Sequence, residues 1–310
     1  MVYFSLLFFV IAYLGNVYVR CALALYATNM LLVLDGAPSH EGGAISSAFD
    51  NYKIHSWFRS LRCWKWSQTY FNAELIKTAE LPPTSNYLIC YHPHGIISMG
   101  LQTSLGMDAC GFTELFPGVE RYVATLVASF KIPLFREWIL LHGFVSCGSK
   151  TLKKILTTPK KALVLVPGGA NEALYSHPGE FKVHLKNRKG FIRVAIQCGA
   201  SVVPAIGFGE NELFHTVDNE SPGFGQTLYK IQVFLMKKFS FSFPVFTHFL
   251  PKREKVVVVI GKPISTKDVK CDAPSKEVID KIHKVYCDQV ESIWNEHKDK
   301  YGKGIPFEIA

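Results

Sequence analysis

Six residues, Asn86-Tyr87-Leu88-Ile89-Cys90-Tyr91, make a short apolar run that stops at His92-Pro93-His94-Gly95. The turn-forming Leu81-Pro82-Pro83-Thr84-Ser85 bounds it upstream, so the run predicts a buried strand. Pro93 has no amide hydrogen and biases His92 away from helix, so the strand cannot simply run on. Gly95 then turns the chain into Ile96-Ile97-Ser98-Met99-Gly100-Leu101. Two imidazoles at a strand end, beside a glycine that bares backbone amides, suit proton transfer. Two other readings stay open on these residues alone. The rings could be core groups bonded to backbone carbonyls, or His-x-His could supply two metal ligands. Against metal, no third ligand stands at a recognisable spacing, and the eight cysteines are scattered. Several of those cysteines sit inside apolar runs and read as small hydrophobes of a reducing compartment.

Downstream, short apolar runs alternate with helix-like stretches. Residues 121–127, 162–166, 201–206 and 256–260 read as strands, and 134–142 and 189–197 as helices. That alternation predicts an α/β fold with a mostly parallel central sheet flanked by helices. Ser275 is placed to cap a helix running to Tyr301, where Gly302 ends it. On that helix Val278, Ile282, Val285, Val290 and Ile293 form a stripe that reads as core packing. Residues 228–249 are rich in aromatics, and the alternation Phe239, Phe241, Phe243 suits a strand. The same stretch would equally suit a lipid cavity or a dip into a bilayer. No Gly-x-Ser-x-Gly elbow, Walker loop or dinucleotide fingerprint occurs.

Residues 1–34 carry a single charge, Arg20, and read as a hydrophobic membrane anchor, either one tilted span or a re-entrant hairpin. Residues 35–80 follow as an interfacial segment, in which Lys53, Arg59, Arg62 and Lys65 are interleaved with Trp57, Trp64 and Trp66. Residues 81–310 remain as one catalytic domain. The surplus of 34 Lys+Arg over 25 Asp+Glu gives +9. Such a balance fits an anionic membrane surface or a polyanionic substrate; with no basic block or nucleic-acid motif, no nucleic acid is expected.

Several blocks together resemble the diacylglycerol acyltransferase type-2 family, which also includes monoacylglycerol and wax-alcohol acyltransferases. They are Glu80-Leu81-Pro82-Pro83, Tyr91-His92-Pro93-His94-Gly95, Ile132-Pro133-Leu134-Phe135-Arg136-Glu137 and Val166-Pro167-Gly168-Gly169-Ala170-Asn171-Glu172-Ala173. Arg188-Lys189-Gly190-Phe191, Val203-Pro204, Phe208-Gly209-Glu210-Asn211-Glu212 and Gly261-Lys262-Pro263-Ile264 complete the series. The resemblance implies a glycerolipid-acyltransferase-like domain of an endoplasmic-reticulum membrane enzyme, also found on lipid droplets, with its catalytic body in the cytosol. It implies transfer of a fatty acyl group from acyl-CoA, a co-substrate with no further cofactor, to an acylglycerol or a long-chain alcohol. A homo-oligomer is compatible with it. A non-catalytic lipid-binding or lipid-transfer protein is the remaining alternative, and the intact His-Pro-His-Gly speaks against it. The His-x4-Asp of more distant glycerolipid acyltransferases is absent, since Ile97 and Met99 stand five residues after His92 and His94.

A thioester is already activated, so acyl transfer needs a base for the acceptor hydroxyl and donors for the oxyanion. His94 is assigned as base, with His92 orienting it or binding substrate. Backbone amides of Gly95, Gly168 or Gly169 are the candidate oxyanion donors. Glu172 is the candidate for fixing the His94 tautomer, as an Asp does in a serine-protease triad, with Glu210 in reserve. Arg136, Arg188, Lys189 and Arg193 are candidates for the CoA phosphates.

Overall fold

The structure, a computed structural model, describes residues 2–28, 52–174, 176–215, 224–239, 245, 248 and 250–310. Nine strands are formed by these residues: β1 (Glu74–Lys77), β2 (Tyr87–His92), β3 (Glu120–Thr125), β4 (Phe144–Ser146), β5 (Lys161–Leu165), β6 (Phe181–Val183), β7 (Ser201–Phe208), β8 (Val257–Ile260) and β9 (Phe307–Ile309). Seven of them make one sheet in the order β1-β8-β7-β2-β5-β3-β4, and β6 pairs with β9 separately. Every neighbouring pair in the large sheet is parallel except β7 with β8. The α/β expectation with a mostly parallel sheet holds.

β2 lies between β7 and β5, and all six of its residues are buried, as an apolar run with covered faces requires. Its side chains alternate between two cores. Leu88 and Cys90 join the core under the helices Ser149–Thr157, Gly190–Cys198 and Lys276–Tyr301. Tyr87, Ile89 and Tyr91 join the opposite core with Leu101, Leu105, Phe112, Phe116, Phe130, Ile139 and Leu140.

The Ser275 hydroxyl accepts the Val278 amide at 3.4 Å, so the helix to Tyr301 begins with the expected cap. Of the expected stripe, Val290 and Ile293 are buried and Val278 and Ile282 pack against the same core, whereas Val285 is 40% exposed; Ile279, His283, Tyr286 and Trp294 complete the covered face. The aromatic stretch opens not as a strand but as the helix Phe224–Phe239; Phe241 and Phe243 lie outside the described residues.

The N-terminal apolar segment forms two helices, Val2–Leu14 and Val17–Thr28. Among the described residues no helix is long and apolar enough to cross a membrane. The two helices fold back on each other as a hairpin, in which the Phe8 and Tyr26 ring centroids come within 6.4 Å. At the bend Asn16 Oδ1 accepts the Val19 amide, and Arg20 donates to the carbonyls of Tyr13 and Gly15. A Cβ on Gly15 would stand 2.6 Å from Val19 Cγ1, so the close approach needs glycine. Leu6, Phe9, Leu14, Val17 and Leu25 are exposed on this hairpin. Residues 29–51, which include the end of the expected anchor, lie outside the described residues.

In the aromatic and basic segment, Trp57 and Trp66 are exposed, but Arg59 is not an interfacial cation. It is buried, with Nε on the His142 carbonyl and Nη1 on the Arg121 carbonyl, each at 2.8 Å. β1 lies within the same segment and is an edge strand of the sheet. The sheet thus begins before residue 81.

Candidate active site

Three adjacent parallel strands, β5, β2 and β7, deliver three conspicuous loops to one end of the sheet. From β5 come Pro167, Gly168 and the short helix Gly169–Leu174 with Glu172; from β2 comes Pro93-His94-Gly95; from β7 comes Gly209 with Glu210. In open α/β sheets the crevice beyond the carboxyl ends of parallel strands is where ligands bind.

The half-buried His94 ring lies just past the carboxyl end of β2. Its Nδ1 is 2.9 Å from the Gly95 carbonyl. A carbonyl can only accept, so the neutral ring carries its proton on Nδ1 and leaves the Nε2 lone pair to take a proton from elsewhere. Burial pushes the ring's pKa below the usual histidine value, with the Gly95 bond acting in the opposite direction, so the ring stays unprotonated near neutral pH. Gly95 adopts φ 57°, a left-handed conformation that turns its carbonyl back onto the ring's side of the loop. Ser98 Oγ donates to the His94 carbonyl at 2.8 Å.

His92 takes a different course. It is fully buried, and its Nε2 lies 2.8 Å from the hydroxyl of Tyr286 on the Lys276–Tyr301 helix. Burial pushes its pKa down to about 3, so the ring is neutral. It bonds Tyr286 rather than His94, and a ring with no exposed surface is closed to substrate. The expected orienting or substrate-binding part is not borne by its position; His92 ties β2 to a helix. Tyr286 escaped notice in the sequence, its only signal being a hydroxyl inside an apolar helix face.

Glu172 does come to His94, but to its backbone. Oε2 accepts the His94 amide at 2.8 Å and Oε1 accepts the His184 amide at 2.9 Å. The tautomer-fixing contact expected of Glu172 is made by the Gly95 carbonyl instead. Burial pushes the Glu172 carboxyl up to about 7, against the pull of those two amides and of Arg188. A side chain on Gly168 would collide with the Glu172 carboxyl group, so that glycine is required for the approach. Glu210 lies on the other side of the loop, bonded to Tyr91, Met99 and Gly100.

Of the three candidate oxyanion donors, Gly169 is already committed, its amide donating to the Val166 carbonyl at 3.2 Å. Among the described residues the Gly95 and Gly168 amides have no partner within the chain. The basic candidates separate as well. Arg136 is buried on the helix Phe135–Leu141, 3.9 Å from Glu137, and is not an open phosphate cradle. Lys189 is paired with Asp280 at 2.7 Å. Arg188 and Arg193 are exposed, and Arg188 is the one whose field reaches Glu172. Among the described residues no three His, Cys, Asp or Glu side chains are grouped to hold a metal ion.

With this geometry in place, comparison with known proteins is informative. The model of a family described as "Diacylglycerol acyltransferase" matches residues 24–309. The chain is 36% identical over 290 residues to "Diacylglycerol O-acyltransferase 2A" of Umbelopsis ramanniana, covering 90% of this chain and 78% of that protein. It is 35% identical over 257 residues to "2-acylglycerol O-acyltransferase 1" of Bos taurus, covering 79% and 75%. With "Diacylglycerol O-acyltransferase 2" of Danio rerio it shares 35% over 256 residues, covering 80% and 70%. Among solved structures, a 1-acyl-sn-glycerophosphate acyltransferase from Thermotoga maritima aligns at TM-score 0.41 and 14% identity over 94% of this chain and 95% of that one, a likeness too loose to argue from.

Proposed function

Because this chain belongs to the diacylglycerol acyltransferase family, and is therefore an acyltransferase, we propose that it transfers a fatty acyl group from acyl-CoA to the hydroxyl of diacylglycerol or monoacylglycerol, with His94 as general base. His94 Nε2 takes the proton of the acceptor hydroxyl as its oxygen attacks the thioester carbonyl. The tetrahedral oxyanion is met by the Gly95 and Gly168 amides. When the carbon–sulfur bond breaks, the imidazolium returns the proton to the departing CoA thiolate, leaving an ester and a thiol. No covalent enzyme intermediate is needed. The observation that carries this reading is the His94 Nδ1 contact with the Gly95 carbonyl, which leaves Nε2 free of its proton.

Exposed Arg188 is assigned to a phosphate of CoA, since it is the basic candidate electrostatically tied to the site. The N-terminal hairpin with its outward Leu6, Phe9, Leu14, Val17 and Leu25 is assigned to the bilayer, as a re-entrant anchor of an endoplasmic-reticulum protein whose catalytic body faces the cytosol and which also reaches lipid droplets. The test is incubation of the protein in lipid with labelled oleoyl-CoA and diacylglycerol, monoacylglycerol or a long-chain alcohol separately, with products resolved by thin-layer chromatography. Labelled di- or triacylglycerol is expected. Label in wax ester alone would move the acceptor to fatty alcohols, and no labelled ester from folded protein would overturn the reading.

A further inference from the structure

Glu210 is a buried acid to which the mechanism above gives no part, yet it grips the catalytic loop along its length. Oε2 accepts the Tyr91 hydroxyl and the Gly100 amide, both at 2.7 Å, and Oε1 accepts the Met99 amide at 2.8 Å. The carboxylate arm also packs directly against Gly95: a Cβ there would lie 2.6 Å from Glu210 Cγ. A Cβ on Gly100 would meet Tyr91 Oη at 2.5 Å and Glu210 Oε2 at 2.7 Å. Two glycines are thus shaped around one acid, and the first of them owns the carbonyl that holds His94 Nδ1.

Resting on the assignment of His94 as base, we propose that ionised Glu210 is a positioning residue for acyl transfer, fixing the 95–100 loop so that the Gly95 carbonyl keeps the His94 ring in its reactive tautomer and place. The chemistry favours the anion for this task. A carboxylate can accept all three donors at once, whereas a carboxylic acid turns one oxygen into a donor. The Tyr91 hydroxyl can rotate away from such a conflict; the Met99 and Gly100 amides cannot. Burial pushes the Glu210 carboxyl up to about 7, with the Tyr91, Gly100 and Met99 bonds opposing, so the changeover falls in the neutral range. The groups that face it are Tyr91 from β2 and the two loop amides. Glu172 acts on the same Tyr91 from the other flank and is itself pushed up to about 7, with Arg188 acting on it in turn. Two carboxylates therefore ionise over one pH range.

The experiment is a pair of kcat and KM profiles against pH, in lipid, for the wild type, Glu210→Gln and Tyr91→Phe, with hydrogen exchange of residues 95–101 followed in the same samples. The wild-type kcat is expected to fall on the acid side of neutrality more steeply than one proton allows. Glu210→Gln should lower kcat about ten- to a hundredfold with little change in KM, as a misplaced reacting group does. It should also reduce the acid limb to a single proton and speed exchange at Met99 and Gly100. Tyr91→Phe removes a bond that favours the anion, so its limb should move to higher pH. Glu210→Gln with a lower thermal midpoint but unchanged kcat and limb would overturn the proposal. If that variant fails to fold, an unmoved limb in Tyr91→Phe does so. Wild-type protein that acylates nothing removes the functional reading, while the pH dependence of exchange at Met99 and Gly100 still decides whether Glu210 holds the loop.

Discussion

The two faces of β2 carry the same strand residues in alternation but use their polar groups to opposite ends. On one face His92 is sealed against Tyr286 in the core of the Lys276–Tyr301 helix. On the other, Tyr91 reaches Glu210, which grips the loop that follows. Cys90 and Ile89 beneath them sort to the same two cores. One face thus fixes where the strand end lies, and the other fixes how the chain leaves it. His94, two residues beyond His92, escapes the alternation because Pro93 and Gly95 break the strand. The lesson is that two histidines in one short motif occupy separate settings, one sealed in the architecture and one at the proposed site of acyl transfer.

The sharpest way to break this comparison is to exchange the two rings for smaller groups. His94→Ala should lower kcat by about 10²- to 10⁴-fold, the range of a positioned general base, without loss of thermal stability. An active His94→Ala protein would erase the division. Tyr286→Phe should behave in the reverse way. It removes the Nε2 partner of a ring whose Nδ1 already has none, at a cost of about 1–3 kcal/mol in unfolding free energy, with kcat within a few-fold of wild type. Urea unfolding and a rate assay on one preparation decide the point.

A smaller effect sharpens the comparison further, because the faces titrate in opposite senses. His92 is held near 3, below its unfolded value of about 6.5. Its neutral burial therefore contributes fully above about pH 6.5 and progressively less as pH falls toward 3. Glu210, raised to about 7, favours the folded state most below its unfolded value near 4.5, and that contribution is lost as pH rises through 7. Urea midpoints of His92→Gln should accordingly lose less than wild type on going from neutral to acid pH, and those of Glu210→Gln should lose less on going from acid to neutral. Parallel curves for both variants and the wild type would show that neither group is linked to folding.

Much of the sheet was legible because apolar runs bounded by Gly and Pro are local signals. β2, β5, β7 and β8 fall within a residue or two of their expected limits. The site was legible in part for the same reason: His94, Glu172 and Glu210 each lie just past a strand, and parallel pairing of β5, β2 and β7 brings those ends together. What could not be read was direction. Whether Glu172 meets a ring or an amide, and whether His92 faces the crevice or the helix, depends on packing set by residues such as Tyr286, far along the chain. Arg59 shows the same limit, since a cation among tryptophans reads as interfacial until Arg121 and His142 supply buried carbonyls for it. The helix stripe holds except at Val285, because apolar spacing alone does not choose between adjacent Val285 and Tyr286.

Phe307 to Ile309 pair with Phe181 to Val183, and Ala310 accepts the amides of Leu185 and Lys186. The residue enclosed by those contacts is His184, whose amide is one of the two held by Glu172. The Glu172 carboxylate thus hangs, through a single peptide unit, on a strand paired with residues 307–309. Loosening that short pairing slackens the hold on the carboxylate, with no helix in between.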